Sequence, residues 1–155
     1  MNEELIKRHN SLVKPGDTVY NLGDMFLGMN AQEATNLYRR LNGTHCFIRG
    51  NHDKVADQVK NLFNFYKDYY ELKIDKQKIV MFHYPLRTWN GSHHSSFHAF
   101  GHCHNSLPDD PKLLAIDVGV DCHNYYPLSL DDFYSIMKKW IANGEGPIAG
   151  DRTNK

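Results

Sequence analysis

Four short segments of this 155-residue chain carry side chains that bind metals or move protons: Gly23-Asp24, Gly50-Asn51-His52-Asp53, His83, and Gly101-His102-Cys103-His104. Together they offer Asp24, Asn51, His83, His102 and His104 as ligands, with His52 and Asp53 beside them. Mixed imidazole and oxygen donors suit Mn, Fe, Zn, Co or Ni, whereas Ca and Mg prefer shells of oxygen alone. A carboxylate has two oxygens and can bridge two ions. Two ions about 3.5–4 Å apart can hold a hydroxide nucleophile and neutralise charge on a phosphoryl group. The glycines before Asp24, Asn51 and His102 let the backbone turn sharply and come close to an ion. Arg49 and Arg87 adjoin these segments and are candidates for phosphate oxygens, with salt bridging as the competing role.

The elements that must position these residues follow from pattern and punctuation. Leu5, Ile6, His9, Leu12 and Val13 recur at helical spacing, and Lys14-Pro15-Gly16-Asp17 stops that helix in a turn. Thr18–Leu22 reads as a strand closed by Gly23-Asp24. Asn30 and Glu33 form a capping box for a helix through Leu41, and His45–Ile48 is the next strand. The stretch 53–61 is expected to be helical, with Asp53 placed to cap it. Tyr69–Ile74 and Lys78–Phe82 predict a hairpin, His98–Phe100 a short strand, and Leu113–Val120 a buried one. Ser129 opens a last helix to about Ile141, with Ile136, Met137 and Trp140 on one face. Each of the four segments therefore follows a strand candidate. In α/β sheets, ligand sites gather outside the carboxyl ends of strands. His102 and His104 stand two apart, so both reach one site only from a loop.

Bulk properties narrow the classes. The length fits one domain, here residues 1–142, followed by a polar tail, 143–155, expected to be mobile. Lys plus Arg and Asp plus Glu both total 18, which argues against an extensive nucleic-acid surface. No apolar run approaches a membrane span, and the first residues lack a signal-peptide core. Three cysteines without a CxxC pair argue against a disulfide scaffold and for a reducing, cytoplasmic setting. Among ten histidines, His93, His94 and His98 read as loop or structural residues, and His9 as part of an amphipathic face. Tyr69, Tyr70 and Phe63–Tyr66 read as core.

The four segments in this order, each at a strand end, resemble the calcineurin-like metallophosphoesterase superfamily. PGDTVYNLGD, RGNHD, MFHYPLRTWN and the DVGVD segment through Pro127 and Ser129 resemble its small bacterial and phage members, over roughly residues 2–140. The resemblance implies an α/β fold, a β-sandwich flanked by helices in α/β/β/α layers. It implies that Asp24 bridges two metals, that Asn51, His83 and His102 complete the second site, and that His104 belongs to the first. His52 would contact the phosphoryl oxygen or protonate the leaving group, with Asp53 orienting its ring. The implied reaction is hydrolysis of a phosphate mono- or diester by metal-bound hydroxide, and neutral charge with short loops favours a small phosphodiester or nucleotide.

One family motif is not in the sequence. The pattern opens with Asp-x-His at the end of a first strand, and upstream of Asp24 stand only Asp17 and His9, neither in that arrangement. The expectation is one well-held metal, a weak or absent first site, and a sheet lacking its first strand. A bare edge would then be covered by another chain, such as a second copy, or by a rearranged segment, or the fold would be locally open. A catalytically impaired member acting as a binding or scaffold protein is the alternative to an enzyme.

Overall fold

Pro15-Gly16 halts the first helix, and short β-rich runs after it alternate with helices, so the first half of the chain winds into parallel strands. The computed structural model describes residues 2–147. Helix α1 (Asn2–Leu12) leads to β1 (Thr18–Asn21), α2 (Ala31–Tyr38), β2 (Thr44–Ile48), α3 (Lys54–Gln58) and β3 (Phe65–Lys67). These three strands form a parallel sheet in the order β1-β2-β3. The second sheet, β4-β5-β6-β7, starts from the expected hairpin of β4 (Tyr69–Ile74) and β5 (Gln77–Phe82). To it are added β6 (Phe97–Phe100) and β7 (Ala115–Asp117), both parallel to β5, before α4 (Leu130–Ala142).

Period-two alternation decides what each strand buries. Inward from β2, β5, β6 and β7 point Ile48, Ile79, Met81, Phe97, Ala99 and Ile116, met by Tyr20, Leu22 and Tyr70 and closed by Phe133 and Met137 of α4. Phe47 points the other way, into a second cluster with Ala34 of α2, Ala56 of α3 and Phe63. On the far face of the second sheet, Val80, Phe100 and Ala115 lie under Trp89, whose indole Nε1 donates to Ser96 Oγ at 2.9 Å. The fold is α/β: two stacked sheets flanked by helices, as the sequence predicts.

Several boundaries shift for physical reasons. The capping box is present: Asn30 accepts from Gln32 and Glu33, and Glu33 reaches back to Asn30. The helix nonetheless ends at Tyr38, because Arg40 and Leu41 bond three residues back and tighten into turns. The stretch 53–61 divides into α3 and a 3₁₀ turn, Lys60–Leu62, and Asp53 makes no capping bond. The strand expected over 113–120 is three residues long, since Leu114 enters it in the left-handed region at φ 58°. Tyr70 and Tyr66 pack in the two cores, while Tyr69 is 39% exposed. Among the described residues β1 pairs on one side only. Of the tail, Gly144 and Glu145 close α4 by donating to Ile141 and Trp140, and residues 148–155 lie outside the described part. Among the described residues no helix is long and apolar enough to cross a membrane.

Two buried histidines are built into this frame as neutral rings. His98 Nδ1 donates to Val80 O at 3.0 Å, and its Nε2 accepts from the Leu86 amide at 3.1 Å. His45 Nε2 donates to Asn42 O at 3.1 Å, and its Nδ1 accepts from the Asn21 amide at 2.8 Å. Burial pushes both below the usual histidine range. The unfolded chain takes up these protons near its ordinary pKa of about 6.5, and the folded chain only at lower pH. Their contribution is therefore complete above about pH 6.5 and lost as pH falls below it. Urea denaturation of the metal-free protein should show lower unfolding free energy at pH 5.5 than at 7.5, and His98→Gln should flatten that slope. An unchanged slope in the variant would contradict this assignment.

Candidate metal centre

The carboxyl ends of β1, β2, β5 and β6 meet at one place. Asp24, two residues beyond Leu22, sits in the left-handed region at φ 58°, preceded by Gly23 at φ 100°. His83 follows β5 and is buried, at 1% exposure. Its Nδ1 lies 2.6 Å from Leu22 O, and a carbonyl only accepts, so Nδ1 carries the proton. The other ring nitrogen, Nε2, faces Asn51 Oδ1 at 2.9 Å and Asp24 Oδ2 at 3.3 Å. From the loop after β6 comes His102, at φ 69°, and the ligating atoms of Asp24, His83 and His102 all lie within 4.8 Å of one another. Nitrogen and oxygen atoms gathered this closely are the donor set that fits a divalent transition metal.

Close approach of two loops makes this possible. A Cβ on Gly23 would stand 2.7 Å from Gly50 Cα and 2.6 Å from His83 Nδ1. A Cβ on Gly50 would run into the Asp24 carboxylate and come within 2.8 Å of His83 Cε1. Gly50 and Gly23 therefore leave space that a side chain would fill.

Asp53 joins the same two loops. It is 2% exposed, and its Oδ2 accepts from the Gly50 amide at 2.6 Å and the Asp24 amide at 2.9 Å. Its Oδ1 is buried with no hydrogen-bond partner. Burial pushes this carboxyl above the usual range, and the two amide bonds work in the other direction. The oxygen of Asp53 that is bonded serves backbone amides of the two loops, and no hydrogen bond joins Asp53 to the His52 ring. His52 is exposed, and its own amide donates to Asp24 Oδ1 at 2.8 Å, leaving Asp24 Oδ2 on the side of His83.

Other expected site residues stand apart. His104 is exposed in the left-handed region, with Nδ1 2.6 Å from Asp121 Oδ2. That pairing fixes the ring and leaves Nε2 as its coordinating atom. Arg49 bonds Asp57, Nε to Oδ1 at 3.1 Å and Nη2 to Oδ2 at 3.1 Å, so salt bridging occupies its guanidinium. Arg87 is exposed on the loop after His83. A fifth strand end was missed: buried Asp117, the last residue of β7, has one oxygen, Oδ2, with no hydrogen-bond partner, and Asp121 beyond it holds His104. The signal was available, since LLAIDVGVD also runs from a strand into Asp and Gly.

The calcineurin-like phosphoesterase family model matches residues 2–143. This chain belongs to that family. A relative from Methanocaldococcus jannaschii, the uncharacterized protein MJ1445, is 35% identical over 149 residues, covering 90% of this chain and 76% of its own. The crystal structure of AQ665 from Aquifex aeolicus, a protein of unknown function, superimposes with a TM-score of 0.66 at 19% identity, over 87% of this chain and 84% of that one. That likeness supports the fold. A calcineurin-like phosphoesterase uses divalent metals, and among the described residues Asp24, His83 and His102 form a group that could hold one.

Gly50→Ala should leave a folded protein by circular dichroism but weaken Mn²⁺ binding in calorimetry by roughly tenfold or more, the scale of a disturbed ligand support. Gly16→Ala, whose Cβ meets nothing within 4 Å, should change neither. Unaltered affinity in Gly50→Ala would contradict the packing argument.

Proposed function

We propose that this calcineurin-like phosphoesterase hydrolyses a small phosphate mono- or diester at a divalent metal centre held by Asp24, Asn51, His83 and His102. The observation that carries the reading is the convergence of Asp24 Oδ2 and Asn51 Oδ1 on His83 Nε2, with the His102 ring in the same group. A bound ion would polarise the phosphoryl oxygens and lower the pKa of a water ligand. Mn²⁺ is the first metal to test, with Fe, Zn, Co and Ni also matching the donors.

In this reading the chain's own groups divide the work. Asp24 would offer an ion its Oδ2, since the His52 amide holds Oδ1. The Leu22 carbonyl keeps the His83 proton on Nδ1 and leaves Nε2 for coordination. His52, exposed beside the centre, supplies a proton to the departing oxygen. Asp53 is a positioning residue that ties the Asp24 and Gly50 loops together. His104, braced by Asp121, is the protein ligand ready for a second ion. Neutral charge favours a small ester over a nucleic-acid strand, and three free cysteines fit a reducing cytoplasm.

One observation favours the second reading, a binding protein with a single metal. Among the described residues, one group of His and carboxylate atoms meets the closeness a metal needs, and His104 is not in it.

Bis(p-nitrophenyl) phosphate in excess Mn²⁺ should release nitrophenolate, and EDTA should stop it. His52→Ala should cost more on phenyl phosphate than on p-nitrophenyl phosphate, because the poorer leaving group depends more on the proton. Tight metal binding with no turnover across Mn²⁺, Co²⁺, Zn²⁺ and Ni²⁺ would favour the binding protein.

A further inference from the structure

Beside the candidate centre stands an aromatic ring that neither core uses. Tyr84 follows His83 directly and is 38% exposed. Its ring meets His102 edge-on at 4.6 Å between centroids and His83 edge-on at 4.9 Å. Both contacts are with candidate ligands, so the ring forms part of the wall of the centre. Phe82 continues the row at 5.8 Å, and exposed Tyr69 lies 6.4 Å beyond Phe82 with its hydroxyl donating to Glu71 Oε1 at 2.7 Å. An aromatic row therefore runs outward from the metal ligands and carries open area at Tyr84 and Tyr69. The sequence reading assigned Tyr69 to the core; its exposure makes it available to a ligand instead.

We propose that Tyr84 is a stacking platform for the planar base of a nucleotide-type substrate whose phosphate sits at the metal centre. The proposal rests on the phosphoesterase reading for the phosphate and on the ring's placement for the base. Because Tyr84 touches both His102 and His83, a phosphate bound at these ligands would place its organic substituent beside the Tyr84 ring. The substituent that gains most there is a flat π-system, since every nucleobase presents a face that stacks on tyrosine. A sugar alone has no such face. The zero net charge fits a single nucleotide, which needs no long basic track. Tyr84 would thus set substrate preference rather than carry out the chemistry.

The test separates base from phosphate. In the Mn²⁺-loaded protein, AMP should bind about tenfold tighter than ribose 5-phosphate, as expected for one stacked base. The ratio should persist in Tyr84→Phe and fall toward one in Tyr84→Leu. Adenosine, which has no phosphate, provides an arm independent of the metal: titrated into metal-free protein, it should shift the Tyr84 ring proton signals in NMR spectra. Equal affinities for AMP and ribose 5-phosphate, a ratio that survives Tyr84→Leu, or an unmoved Tyr84 signal would each overturn the proposal. Failure of metal-dependent hydrolysis with the adenosine shift intact would instead overturn the phosphoesterase reading and leave the platform standing.

Discussion

The hydrogen bond from His83 Nδ1 to the Leu22 carbonyl is the constraint on which the site depends. It joins the end of a strand in one sheet to the end of a strand in the other, and it decides which ring nitrogen holds the proton. Once Nδ1 is committed, Nε2 must face Asn51 and Asp24, and the centre becomes a cluster of acceptors. The surroundings obey the same requirement. Gly23 and Gly50 leave no side chain between the loops, and Asp24 takes a left-handed backbone that turns its carboxylate toward His83.

Such an arrangement is costly. Left-handed backbone at Asp24 and His102 costs on the order of 1–3 kcal/mol each. The orphaned Oδ1 of Asp53 adds about 1–3 kcal/mol of unpaid desolvation. These terms concentrate at the strand ends, while the inner faces of both sheets, with Ile48, Ile79, Phe97 and Ile116 buried, supply the opposing stability. Strain at a site with a well-packed scaffold behind it is the pattern expected where function rather than stability shaped the residues.

Much of this was legible because it is local. Strand-closing glycines, alternating apolar runs and the Asn30–Glu33 capping box are written within a few residues, and the structure places them much as read. What could not be read depends on distant partners. Asp53 stands next to His52 in sequence, yet the fold brings it the Gly50 and Asp24 amides, which a carboxylate satisfies better than it would an exposed ring. Arg49 had two roles open to it, and the Asp57 that α3 places beside it decides for the salt bridge. His104 shares a loop with His102, but the turn of Asp121 after β7 draws it aside. The shortness of β7 follows from the backbone at Leu114, where no glycine announces a left-handed residue.

Whether a cation occupies the space among these ligand atoms decides what the site is for. Crystals soaked in Mn²⁺ and measured for anomalous scattering give the most direct answer. The account predicts a peak within bonding distance of His83 Nε2, Asp24 Oδ2, Asn51 Oδ1 and the His102 ring. A well-ordered site with no anomalous density there, or with manganese bound only at other carboxylates, would contradict it.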